Sequence, residues 1–155
     1  MSDAEKVKNF TEETGFTIPE FPQPMNRDEV YFIIKMILDE VMELGATVGN
    51  PNEIKEYMIK CINESKDIQM IHENTIPNQA DAFVDIYYYM LNAAAKKGVN
   101  LSKVFDVVHE SNLKKKDPIT GTYLRREDGK ILKPPFWKEP DIIGEIKNQF
   151  IHRAF

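Results

Sequence analysis

Asp39-Glu40-Val41-Met42-Glu43 lies inside an apolar run, Val30 to Leu44, that otherwise reads as a buried helix. Val30, Ile33, Ile34, Ile37, Val41 and Leu44 keep helical spacing, and Phe32, Met36 and Leu38 add a second apolar side. That pattern predicts a helix covered from two directions. Asn26 with Glu29 three residues on is a capping-box start, and Gly49-Asn50-Pro51 breaks the helix after about Thr47. Carboxylates on a packed helical face repel one another and resist desolvation, so they need a compensating cation. A bound divalent metal supplies one, and such a metal points to chemistry on phosphates.

Working outward, a second strongly apolar helix is expected from Pro77 to Lys97, ended by Gly98. It carries Asp81 and Asp85 at i and i+4, with Asn78 one turn before Asp81. On the earlier helix Glu43 is one turn from both Asp39 and Glu40. If the two helices pack antiparallel, four or five acidic side chains converge, a hard-oxygen set suited to Mg²⁺ or Mn²⁺ and poor for zinc. Two plainer readings compete. Acidic pairs at helical spacing usually lie on a solvated surface, and Tyr87, Tyr88 and Tyr89 can hydrogen-bond these carboxylates in a polar core.

The remaining segments complete an all-α plan. A short helix is expected over residues 3 to 14, then an extended connector over 16 to 26 through Pro19, Pro22 and Pro24. Residues 51 to 70 form a less apolar helix with Ile54, Tyr57, Met58 and Cys61 on one face. Asn100 or Ser102 caps a further helix ending near Lys116. After it, Tyr123–Arg126 and Lys130–Lys133 flank Glu127-Asp128-Gly129, a small hairpin signal. Pro134-Pro135-Phe136-Trp137 is a rigid aromatic segment, and residues 140 to 152 form a terminal helix. The chain is read as a single domain, 1–155, with a core over 27–116 and a C-terminal extension over 117–155.

Composition narrows the function classes. With 155 residues, 42% of them apolar, the chain can bury a core. Lys and Arg total 20 against 25 Asp and Glu, for a net charge of −5, which argues against a general binder of nucleic-acid polymers. The single cysteine, Cys61, allows no internal disulfide and no Cys-based metal site, and its apolar face predicts a packed thiol. The polar, acidic start shows no targeting signal, and no stretch is long enough to span a membrane, so a cytoplasmic protein is expected. No Gly-rich phosphate loop follows a strand. His72 and His152 have no neighbours suggesting a nucleophilic triad. His109 to Lys116 read first as a frayed helix end whose lysines favour the dipole, and second as a phosphate-binding edge with Asn112 on a base or sugar. Lys130 and Lys133 are surface lysines by default, and for Phe136 and Trp137 a core or interface role outweighs stacking on a base.

Taken in order, these segments resemble a known family. The series is Val7, Phe10, Gly15 and Pro19; Asp39–Glu43; Ala80-Asp81-Ala82-Phe83-Val84-Asp85-Ile86-Tyr87-Tyr88; Val108–Lys115; and Arg126–Pro135. It resembles the all-α NTP pyrophosphohydrolases of the MazG type, in the Cof-like or phosphoribosyl-ATP pyrophosphohydrolase-like branch. The resemblance implies a four-helix-bundle core, a homodimer or homotetramer, and Mg²⁺-dependent cleavage (Mn²⁺ also serving) of a nucleoside triphosphate, a deoxynucleotide above all, to the monophosphate and pyrophosphate. Asp39 and Glu40 take the catalytic role; Glu40, Glu43, Asp81, Asp85 and Asn78 the metal; Asn112, Lys115, Lys130 and Lys133 the nucleotide. The family pattern is E-E-x-x-E followed by E-x-x-D. Here the first segment is D-E-x-x-E, and Asn78 stands where the second expects glutamate; in the alternative register Asp85 is the family aspartate and Ala82 the departure. Asn can ligate Mg²⁺ through its carbonyl but brings no charge. Two alternatives stay open: a phosphoribosyl-ATP pyrophosphohydrolase, and a non-catalytic helical dimer that binds nucleotide or a protein partner.

Overall fold

The computed structural model describes residues 1–71 and 73–155, so His72 lies outside the described residues. It is all-α: α1 (Asp3–Glu13), α2 (Arg27–Ala46), α3 (Pro51–Glu64), α4 (Thr75–Ala95), α5 (Leu101–Leu113) and α6 (Ile142–His152). Among the described residues the hairpin signal is realised as one antiparallel bridge, Arg125 with Ile131, and no strand. The chain divides into two compact units. Unit 1 is Met1–Glu20 with Val84–Phe155, and unit 2 is Phe21–Phe83.

In unit 2, α2 begins as its capping signal requires. Asn26 accepts from the Asp28 and Glu29 backbone N–H groups, both at 3.0 Å, and Glu29 accepts from the Asn26 N–H at 2.7 Å. Asn50 caps α3, with Pro51 at its first position. Helix α3 stops at Glu64, short of the expected residue 70, because Ser65 is extended and returns its hydroxyl to the Cys61 carbonyl at 2.8 Å. Helix α4 starts at Thr75, before Pro77, since a proline in the first turn gives up no helical hydrogen bond. The Gln79 side chain clamps the Met25 backbone, accepting from its N–H at 2.9 Å and donating to its carbonyl at 3.0 Å. Cys61 is exposed, not packed.

In unit 1, α1 packs on α5. Phe10 meets His109 and Tyr123 edge-on, at 6.3 and 5.4 Å between ring centroids, and His109 stacks on Phe105 at 5.8 Å. Lys6 pairs with Asp106 across the same contact. Of the two candidate caps it is Asn100 that starts α5, which ends at Leu113 rather than near Lys116. Helix α6 lies against α5. There the Gln149 side chain accepts from the Asn100 N–H at 2.9 Å and donates to its carbonyl at 3.2 Å.

Burial departs from the expectation of two enclosed helices. Among the described residues no aliphatic or aromatic side chain is buried; the buried residues are Thr14, Ser111 and Gln149, together with Pro134. Ile34, Leu38, Val41 and Leu44 of α2 are exposed, as is every α4 residue from Ala80 to Met90. The carboxylates expected on packed faces are therefore solvated, and the desolvation conflict read from the sequence does not arise.

Two local contacts give tests. Gly45 of α2 faces Ile54 of α3 so closely that an added Cβ would overlap Ile54 Cγ2 and sit 3.2 and 3.3 Å from its Cγ1 and Cβ. Alanine gains at most roughly 0.5–1 kcal/mol over glycine in a helix, and less in the last turn where Gly45 lies, while overpacking costs about 1–3 kcal/mol and β-branched Ile54 has little freedom to turn away. Gly45→Ala should therefore lower stability by about 1 kcal/mol in urea unfolding; a gain would contradict the close approach. In the hairpin, Arg126 pairs with the Asp128 carboxylate, which also accepts from the Lys130 N–H at 3.2 Å. The Arg126 hydrogen bonds, then the Lys130 N–H, lower the Asp128 carboxyl from 3.8 to about 2. A depressed folded pKa stabilises the turn above the unfolded value and is lost as pH falls toward the folded one. The turn should hold at pH 4 and loosen toward pH 2. A carboxyl ¹³C titration should centre near 2, and a midpoint at the ordinary aspartate value would show the pair does not form in solution.

Candidate active site

The acidic residues singled out from the sequence occupy two helices. Asp39, Glu40 and Glu43 lie on α2 and are exposed; Asn78 and Asp81 lie in the part of α4 within unit 2; Asp85 lies further along α4, in unit 1. Asp39 accepts a hydrogen bond from Lys35 at 2.8 Å, one turn back. The Asn78 amide nitrogen donates to the Glu73 carbonyl at 3.0 Å, so its carbonyl oxygen is the atom left to offer a hard cation. Among the described residues no three His, Cys, Asp or Glu side chains stand together as a metal-holding group. Their donor atoms, carboxylate and amide oxygens with no thiol or imidazole among them, are of the type that hard divalent cations accept.

The second set lies within unit 1. Lys115 follows the end of α5, while Lys130 and Lys133 flank the bridged residue Ile131. The Trp137 ring draws two of these lysines together, with Lys115 Nζ 5.2 Å and Lys133 Nζ 4.6 Å from its centroid. The ring is anchored, because Trp137 Nε1 donates to the Ser111 carbonyl at 2.7 Å. Buried Ser111 in turn donates its hydroxyl to the Lys138 carbonyl at 3.1 Å. Burial lowers the Lys115 pKa, and the Lys133 and Lys130 charges push it the same way. Each cation–π contact returns only ~0.5–1 kcal/mol at such a site, comparable with the ~1 kcal/mol repulsion of close like charges in water. The cluster is therefore held by its scaffold and keeps its appetite for an anion. Asn112, on the last turn of α5, is half-buried.

Sequence reading reached the three lysines but not what gathers them. Trp137 and Ser111 position the group, and the spacing of a lysine four residues before tryptophan, with Pro134-Pro135 between them, was the available signal. A cleft of about 660 Å³ runs beside the same tryptophan, lined by Glu110, Ser111, Lys114, Phe136, Trp137 and Lys138, among others.

Comparison with known proteins gives two findings. The family model described as phosphoribosyl-ATP pyrophosphohydrolase matches residues 7–112. Among solved structures, a putative NTP pyrophosphohydrolase from Exiguobacterium sp. 255-15 superposes with a TM-score of 0.75 at 20% identity, covering 99% of each chain. At that identity the likeness speaks for the fold. No curated protein matched the chain.

Proposed function

We propose that this chain, which belongs to the phosphoribosyl-ATP pyrophosphohydrolase family and is a pyrophosphohydrolase, cleaves a nucleoside triphosphate, with deoxynucleotides as the preferred class, to the monophosphate and pyrophosphate. The observation that carries the reading is the D-E-x-x-E set on α2 with Asp81 on α4, inside the segment that the family model matches. Glu40, Glu43, Asp81 and Asp85 would hold Mg²⁺, or Mn²⁺ in its place, with the Asn78 carbonyl as a neutral ligand. When bound, Mg²⁺ offsets phosphate charge and makes water more acidic.

The chain's own residues divide the rest of the work. Glu40 accepts the proton of the attacking water. Asp39, hydrogen-bonded to Lys35 and one position before Glu40 on α2, is the other candidate to orient or deprotonate that water. Lys115, Lys130 and Lys133 draw the negatively charged substrate, and Asn112 offers an amide to its base or sugar. Phosphoribosyl-ATP is the second substrate reading, favoured by the description of the matching family.

Exposure supports a homo-oligomer, a dimer or tetramer. Ordering the backbone costs roughly 1–2 kcal/mol per residue, and among the described residues of a single copy the aliphatic and aromatic side chains are at most half-buried. The exposed apolar faces of α2 and α4 are where a second copy would supply further burial, bringing its own carboxylates toward the first. No helix among the described residues is long and apolar enough to cross a membrane; a cytoplasmic setting accords with the single exposed cysteine.

Two measurements test these readings. Pyrophosphate release from a panel of ribo- and deoxynucleoside triphosphates and phosphoribosyl-ATP should require Mg²⁺ or Mn²⁺ and stop with a chelator. It should fall on the order of 100-fold or more in Glu40→Gln and Glu43→Gln. Undiminished release from Glu43→Gln would move the site elsewhere. The melting temperature should climb with protein concentration, as it does when folding and association are coupled; a concentration-independent value with a monomeric mass would remove the oligomer.

A further inference from the structure

We propose that the acidic site is shared between two copies of the chain: Glu40 and Glu43 on α2 of one copy are completed by Asn78 and Asp81 on α4 of the other. The proposal rests on the reading of these residues as the metal-holding set, and it changes which molecule supplies each half.

The reason lies within unit 2 and begins with Gln79. Its side chain brackets the Met25 backbone, accepting from the N–H at 2.9 Å and donating to the carbonyl at 3.0 Å. Met25 directly precedes Asn26, the N-cap of α2, and Gln79 lies in the second turn of α4. The clamp therefore holds the start of α4 at the start of α2. Antiparallel packing inside one copy needs the reverse, with the start of α4 at the end of α2. Asp81 is two positions beyond the clamp, about 3 Å along α4 at the helical rise. Glu40 and Glu43 are 14 and 17 positions beyond Asn26, roughly 21–26 Å along α2. A carboxylate reaches only a short way from its backbone, so the two acidic sets of one copy do not meet. In agreement, α2 packs on α3 and not on the part of α4 that shares its unit. Nor do three acidic side chains stand together as a metal-holding group among the described residues.

A second copy removes the difficulty without undoing the clamp. With a two-fold axis between the copies, α2 of one runs antiparallel along α4 of the other, and every contact given is returned, so two equal sites form together. The surfaces for this are open: Leu38, Val41 and Leu44 on α2 and Phe83 on α4 are exposed beside the carboxylates. Among the described residues Glu40, Glu43 and Asp81 have no basic side chain within ion-pair distance. Apolar contact draws the two faces together, while carboxylates from two copies repel across it. A divalent cation between them turns that repulsion into attraction. Asn78, whose amide nitrogen is spent on the Glu73 carbonyl, offers an oxygen there without adding to the charge that the cation must offset.

The test is an exchange between copies. The full chain is co-expressed in two forms with different tags, one Glu43→Gln and one Asp81→Asn, and dimers carrying both tags are isolated. Both changes are near-isosteric at exposed positions, so helical circular dichroism should stay unchanged. By calorimetry each variant alone should bind Mn²⁺ at least tenfold more weakly than the unaltered chain. In the mixed dimer one site carries both changes and the other neither, so about half of the unaltered Mn²⁺ stoichiometry should return at the unaltered affinity. Glu40→Gln with Asp81→Asn repeats the exchange with a second pair. If each copy holds its own ligands, every site keeps one change and no tight site returns, which overturns the proposal. So do an unaltered chain that binds no Mn²⁺, a monomeric mass with Mn²⁺ present, or variants that each bind as the unaltered chain does. Pyrophosphate release separates the two readings. Tight Mn²⁺ binding that returns in the mixed dimer, without release from any nucleotide, keeps the shared site and removes nucleotide hydrolysis. Release by the unaltered chain with no recovery in the mixed dimer keeps hydrolysis and returns the site to one copy.

Discussion

A buried polar side chain must find partners or forfeit a desolvation cost of roughly 1–3 kcal/mol, and unit 1 is organised around three that do. Gln149 brackets the Asn100 backbone, Ser111 ties α5 to the segment after the prolines, and Thr14 returns its hydroxyl to the Thr11 carbonyl at 2.8 Å. Asn100 carries the chain of bonds further. Its side-chain oxygen caps α5, and its amide nitrogen donates to the Ala154 carbonyl at 2.9 Å. Directional bonds of this kind set the positions of α5, α6 and the Trp137 loop more sharply than apolar contact does. That matters because no aliphatic or aromatic side chain is buried among the described residues. Gln79 repeats the device in unit 2 by bracketing Met25 just before α2.

Much of the helical plan was legible because its signals are local. Asn26 with Glu29, Asn50 before Pro51 and Asn100 before α5 each announce a helix start within four residues. Apolar spacing likewise located α2 and α4. The ends read less well: α3 stops at Glu64 because Ser65 turns its hydroxyl back on the helix, a choice that composition does not reveal. The clamps were invisible for another reason. Gln149 and Asn100, like Gln79 and Met25, are some fifty positions apart, and glutamine in an amphipathic helix looks like any solvated residue.

The candidate site divides along the same line. Its carboxylates were readable as residue types at helical spacing, and the departure at Asn78 showed against the family pattern. That they lie exposed on α2 and α4 was not readable, since an apolar helix looks identical whether its own chain or a second copy covers it. The lysines were readable singly. Their grouping depends on an indole N–H that reaches a carbonyl 26 positions away, at Ser111. Charge is also sorted along the chain, acidic from Asp39 to Asp85 and basic from Lys114 to Lys138. An overall charge of −5 therefore conceals a segment suited to an anion.

Unit 1 is assembled from two stretches of chain with all of unit 2 between them. During synthesis α1 emerges long before α5, so Phe10 must wait for His109 and Lys6 for Asp106 while the whole of Phe21–Phe83 is made. Closing so long a gap costs entropy that grows only with the logarithm of its length. If unit 2 contracts first, the effective gap shortens before the closing contact is made. The order of manufacture thus favours a folding sequence in which the inserted unit forms early, α1 docks once α5 has been made, and α6, the last helix synthesised, follows.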